Sequence, residues 1–181
     1  MSCNSTKTEI LPPCKRIIVI GDIHGDWEVT KKIFLKYKII DENFRWIAEP
    51  KDTKIVQVGD ILDRGGRPDT VGDECSELKI MDFLDDLNDK AELYGGGVYC
   101  LLGNHELMNV VGNFTYSGEM SVNCFGGEKG RKEAFKPGGI IAKRFACSRN
   151  AVIKIGSFLF VHGGMSLKHC KKNINQINET M

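Results

Sequence analysis

Arg16-Ile17-Ile18-Val19-Ile20-Gly21-Asp22-Ile23-His24-Gly25 is the stretch from which the fold can be read. Five residues dominated by β-branched side chains predict a buried strand, and the Gly-Asp-x-His-Gly that follows breaks it sharply. Beyond the break, Val29, Ile33, Phe34 and Tyr37 fall at the spacing of a helix face, with Asp26 placed as its N-cap. The same plan recurs at Lys54 to Val58, where a strand runs into a Gly- and Asp-rich loop. A helix predicted from Ile80, Phe83, Leu84, Leu87 and Ala91 then ends at Gly95 to Gly97. It recurs again at Val98 to Leu102, with a break at Gly103 and a short helix through Glu106 to Val110. Strands alternating with helices predict α/β layers.

From Gly112 to Asn150 the pattern loosens into glycines, aromatics and basic residues, with helix expected near Ile140 to Ala146, and is read as an inserted lobe. Ala151 to Ile155, Gly156-Ser157 and Phe158 to Val161 predict a hairpin leading into His162-Gly163-Gly164. The expected organisation is a leader over 1–15, one domain over 16–167 with the lobe at 112–150, and a polar tail over 168–181.

A chain of 181 residues is long enough to bury a core without staples, and its net charge of +1 gives no reason to expect nucleic acid or a membrane as partner. No stretch approaches the roughly 18 apolar residues of a membrane span. The seven cysteines are scattered and include no C-x-x-C pair, so free thiols in a reducing, cytoplasmic setting are expected.

Each predicted strand ends in residues able to bind a metal: Asp22 and His24, then Asp60, then Asn104 and His105, then His162. In α/β sheets the carboxyl ends of strands converge on one crevice, which would gather these residues from distant parts of the chain. Any one of the motifs alone could be no more than turn chemistry, and a lone histidine after a strand is more often structural. Their joint occurrence in four successive strand-end loops argues for a site.

The blocks Gly21-Asp22-Ile23-His24-Gly25, Gly59-Asp60-Ile61-Leu62-Asp63-Arg64-Gly65, Gly103-Asn104-His105-Glu106 and His162-Gly163-Gly164 resemble the signatures of the calcineurin-like metallophosphoesterases. The Asp-Arg-Gly and Gly-Asn-His-Glu forms point to the phosphoprotein phosphatase branch. The run from Asn104 to Asn109, Phe135 to Gly139 and Arg149-Asn150 is similar to the bacterial-like, Shewanella-like phosphatases.

The resemblance implies a layered β-sandwich flanked by helices, and hydrolysis of phosphate monoesters, on phosphoserine, phosphothreonine or phosphotyrosine proteins, by hydroxide generated between two metal ions about 3.5–4 Å apart. It implies Asp60 as the bridging ligand, Asp22 and His24 on the first metal, and Asn104 and His162 on the second. Manganese, iron and zinc all suit these oxygen and nitrogen ligands. It further implies His105 as proton donor to the leaving oxygen, held by Asp63, and Arg64 as a phosphate fork, with Arg149 as a second clamp by analogy. The alternatives are a second metal ligand for His105, a surface salt bridge for Arg64 and a solvated side chain for Arg149.

Members of the family carry another metal-binding histidine well downstream of His-Gly-Gly, whereas here only His169 follows His162. The chain is therefore expected to lack the C-terminal part of the fold, with a partner chain covering that side. Two further readings stand beside the phosphatase: a dinucleoside polyphosphate hydrolase, and a non-catalytic module that binds metal or a phosphorylated partner.

Overall fold

The computed structural model describes residues 10–65 and 72–180. β2 (Ile17–Ile20), β3 (Lys54–Gln57) and β4 (Gly97–Cys100) form one parallel sheet in that order, with Ile17 opposite Lys54 and Lys54 opposite Gly97. β1 (Ile10–Leu11), β5 (Val152–Ile155) and β6 (Phe158–Val161) form the second sheet, in which β1 pairs parallel and β6 antiparallel with β5. The sheets meet where Leu101 bridges to Asn150.

β3 is buried along its whole length because successive side chains enter different layers. Ile55 faces a core shared with α1 (Trp27–Lys36) and α2 (Glu77–Glu92), through Phe34, Ile80, Leu84 and Leu87. Val56 faces a smaller core between the sheets, with Leu101, Ile153 and Ile155. Helices, sheet and sheet stack as layers, the architecture expected from the sequence. The predicted N-cap is in place, since Asp26 Oδ1 accepts the Val29 N–H at 2.9 Å.

α3 (Asn104–Val110) follows β4, and the stretch from Gly112 to Asn150 holds α4 (Glu119–Asn123), α5 (Gly127–Phe135) and α6 (Ile140–Ser148). Phe135, Ile141 and Phe145 of this stretch enter the larger core. Among the described residues no helix is long and apolar enough to cross a membrane.

Outside the site, the structure departs from expectation in three places. The stretch read as a leader lies largely outside the described residues, but Ile10-Leu11 enters the second sheet as β1. The stretch read as a polar tail contains α7 (Ile174–Glu179), whose Asn178 side chain accepts the Ala151 and Val152 N–H groups and donates to the Val152 carbonyl. An asparagine-rich sequence hides this docking, because Asn178 acts as a surrogate strand edge that hydropathy does not register. The expectation of free thiols is corrected by a disulfide between Cys75 and Cys124, 49 residues apart, and Cys147 is also disulfide-bonded. Chain folding, not sequence spacing, brings such cysteines together.

Candidate metal centre

Three loops interlock at the carboxyl end of the first sheet. The Asp60 carbonyl after β3 accepts the N–H groups of Ile23 and His24 from the loop after β2, each at 3.0 Å. The Asp60 N–H goes the other way, to Glu106 Oε2 at 2.9 Å. Glu106 also accepts from Ile61, Leu62 and Gly103, so one buried carboxylate straps the second loop to the start of α3. Burial pushes the Glu106 carboxyl above its usual range, against the pull of the Gly103 and Asp60 N–H groups. Gly59 and Gly103 are glycines because these loops touch: a Cβ on Gly103 would collide with the Asp60 carboxylate, and one on Gly59 with the Gly103 backbone. His24, Asp60 and Asp63 all hold left-handed backbone, with φ of 46°, 57° and 70°. Such strain in non-glycine residues gathers where a side chain must be aimed.

Two groups of ligand atoms result, Asp22 with Asp60 and His162, and His24 with Asp60 and His105, each within 4.8 Å. Asp60 belongs to both. His24 Nδ1 lies 2.8 Å from the Leu62 carbonyl and His162 Nδ1 lies 2.9 Å from the Val58 carbonyl. A ring donating Nδ1–H turns a lone pair outward at Nε2, the arrangement of a metal-binding imidazole. At His162 that lone pair faces Asn104 Oδ1 at 2.9 Å and Asp60 Oδ2 at 3.3 Å. With the ring neutral, three acceptors converge here, which a cation resolves, so the residues fit divalent metal ions. His162 reaches this point from β6, so the site lies where the two sheets meet rather than along one sheet edge.

His105 Nδ1 lies 2.9 Å from Asp63 Oδ2, and both side chains are buried. Arg64 lies beside the first loop, with Nη1 2.8 Å from Asp26 Oδ2 and Nε donating to the Gly72 carbonyl. An open cleft of about 240 Å³ adjoins the centre, lined by Asn104 and His162 together with Leu107, Val161 and Met165.

A family model for calcineurin-like phosphoesterases matches residues 15–180. The chain belongs to that family. It is 34% identical to Shewanella-like protein phosphatase 2 of Arabidopsis thaliana, over 91% of this chain and 50% of that protein. It is also 34% identical to Shewanella-like protein phosphatase 1 of Plasmodium berghei, over 90% of this chain and 42% of that protein. This member of the family thus spans about half the length of the curated relatives it matches. Among solved structures, a cold-active protein-tyrosine phosphatase of a psychrophilic Shewanella superposes with a TM-score of 0.79 at 24% identity, over 99% of this chain and 52% of that one. At that identity the likeness speaks for the calcineurin-like fold.

The structure gathers Asp22, His24, Asp60, Asn104, His105 and His162, with Asp63 and Arg64 beside them, but it places Arg149 elsewhere. The buried Arg149 guanidinium binds Asp85 of α2 at 2.6 Å, in the lining of a separate cavity with Asn88 and Tyr99. Its position just before β5 commits it to α2, which explains the departure from the expected clamp. His169 bonds Ser166 through Nδ1 and belongs to neither ligand group.

Sequence reasoning missed the support around Asp63. Glu77 Oε1 accepts the Asp63 N–H at 2.8 Å, Ser117 Oγ donates to Asp63 Oδ1 at 2.6 Å, and Asn109 Nδ2 donates to Asp63 Oδ2 at 2.8 Å. Arg131 of α5, fully buried, reaches Asp63, Glu77 and Asn109 together. Glu106 was visible within Gly-Asn-His-Glu as a polar residue at the third position of a helix, the one local signal among these.

Proposed function

We propose that this chain carries a phosphomonoesterase site acting on phosphoproteins. The observation that carries the reading is the pair of ligand groups joined at Asp60, with the His105–Asp63 pair and Arg64 alongside. Asp60, Asp22, His24, Asn104 and His162 would hold two divalent ions of manganese, iron or zinc. When bound, such ions supply charge neutralisation at phosphoryl oxygens and a lowered pKa for water.

The remaining chemistry belongs to side chains of this chain. Arg64 offers a planar, permanently charged fork to phosphoryl oxygens, and Asp26 holds it through Nη1. As a water-derived oxygen bonds to phosphorus and the bond from phosphorus to the ester oxygen breaks, His105 transfers the proton on Nε2 to that departing oxygen. Asp63 holds Nδ1–H, fixes the ring plane and stabilises the ring while it carries two protons. The burial of both partners excludes water that would compete for that proton.

The test is metal content measured beside hydrolysis of an aryl phosphate and of a dinucleoside polyphosphate, on the purified chain supplied with manganese. Two metals per chain with aryl phosphate turnover supports the reading, and Asp60→Asn should then lower metal content and turnover together. Unchanged metal content in Asp60→Asn removes Asp60 as the shared ligand. Preferential cleavage of the dinucleoside polyphosphate replaces the phosphoprotein substrate, and metal binding without turnover leaves a binding module.

A further inference from the structure

Arg131 lies 68 residues from Asp63 in sequence, on α5, and has no exposed surface. Its Nη1 donates to Glu77 Oε2 at 2.7 Å, its Nη2 to Glu77 Oε1 and Asp63 Oδ1, each at 3.2 Å, and its Nε to Asn109 Oδ1 at 2.8 Å. The rings of Phe125 and Phe135 lie 5.1 and 4.9 Å from the guanidinium carbon. A buried cation held by two carboxylates, an amide and two aromatic rings has little freedom to reorient.

The groups that Arg131 grips are those that orient His105. Asp63 binds the ring Nδ1, Glu77 fixes the Asp63 backbone, and Asn109 ties Asp63 Oδ2 to the His105 carbonyl. Each of these contacts ends on the dyad or on a residue bonded to it, while a further bond from Arg131 Nη1 to the Ser121 carbonyl, at 3.3 Å, ties α5 to α4. A residue needed only to hold α5 in place would require no such convergence; Arg144, which anchors the neighbouring α6, simply pairs with Asp82 and Asp85 at the surface.

We propose that Arg131 is a positioning residue for the reaction at His105: it locks the Asp63 carboxylate, and through it the plane of the imidazole, so that Nε2 stays aimed at the leaving oxygen. The assignment rests on the proton-donor role given to His105 above. It makes the stretch between Gly112 and Asn150 part of the catalytic apparatus, because α5 supplies the lock. A lysine at position 131 keeps the charge but offers one donor nitrogen in place of the fork, so it cannot hold Glu77, Asp63 and Asn109 together. Misaim of the ring slows proton transfer without weakening ground-state binding.

The experiment compares wild type, Arg131→Lys and Arg144→Met for kcat, KM, metal content and the nuclear magnetic resonance signal of the His105 Nδ1–H, assigned by its loss in His105→Ala. Spectra are recorded on the chain with and without zinc. The expected result for Arg131→Lys is a fall in kcat of about tenfold or more, with KM within about threefold, metal content unchanged, and the Nδ1–H signal shifted or broadened. Arg144→Met should keep kcat within about threefold and leave the signal in place. Arg131→Lys with wild-type kcat, or with an unmoved Nδ1–H signal, overturns the proposal. If the wild-type chain shows no turnover the phosphatase reading fails first, and the Nδ1–H signal alone then decides the role of Arg131. Glu77→Gln slackens the same clamp from its other end and should give the same pattern at smaller size, so the test stands if Arg131→Lys does not fold.

Discussion

Asp60 shows at the scale of one residue how the site is made. Its carbonyl holds the loop after β2, accepting from Ile23 and His24, while its amide N–H and carboxylate hold the start of α3: the N–H goes to Glu106, and Oδ1 accepts the His105 N–H at 2.9 Å. Left-handed backbone at this position is affordable for aspartate, whose short polar side chain tolerates it. His24 and His162 bond backbone carbonyls through Nδ1, whereas His105 bonds the buried Asp63 carboxylate, a partner that suits the proton-donor role proposed above although His105 stands in a ligand group with His24 and Asp60. His105→Ala should therefore cut turnover by about 10²- to 10⁴-fold while metal content stays constant. Loss of metal in that variant would make His105 a ligand instead.

At the scale of elements, apolar periodicity located α1 and α2 because each packs a single continuous face into a core, and short apolar runs located the central strands, which are buried between layers. Asp26 serves two elements at once, capping α1 through Oδ1 and holding Arg64 through Oδ2. Asp26→Ala should lower stability by about 1 kcal/mol, read as a shift in urea midpoint, for loss of the cap. The same change frees Arg64, so KM for an aryl phosphate should also rise. A change in stability with KM unaltered would show that Arg64 needs no support from Asp26. Between Gly112 and Asn150, α6 lies where helix was expected near Ile140, whereas α5 was less legible: it inserts Arg131 and Phe135 into the interior and leaves its lysines outside. An arginine among several basic residues carries no sequence mark of having been buried.

Across the whole molecule, the Cys75–Cys124 bridge joins the segment leading into α2 to the end of α4. Asp73 lies in that segment and accepts both the N–H and the hydroxyl of Ser121. Burial works against the Asp73 carboxylate, but these bonds and the backbone of Cys75 outweigh it and hold its pKa below the usual range. The contribution of Asp73 to stability is thus complete above the ordinary aspartate pKa and is lost as pH falls through the lowered one. A bridge closing a loop of 49 residues removes chain entropy from the unfolded state worth about 4 kcal/mol. The double variant Cys75→Ser, Cys124→Ser should lose about 2–4 kcal/mol in denaturant unfolding under non-reducing conditions. An unchanged midpoint would show that the bridge adds nothing to the folded state.

The sequence by itself determined the order of β2 to β6 and of α1 to α3, the loops that end the strands, and the metal-binding residue types those loops carry. Each of these is a local pattern, written in periodicity, glycine placement and residues close in the chain. Only the tertiary structure decided that His162 arrives from a second sheet, that Arg149 is committed to Asp85, that two cysteines pair across 49 residues, and that Arg131 closes on Asp63. Those outcomes depend on which distant surfaces meet when the layers stack. A charged or sulfur-bearing side chain looks the same in sequence whether it ends in solvent or in the interior.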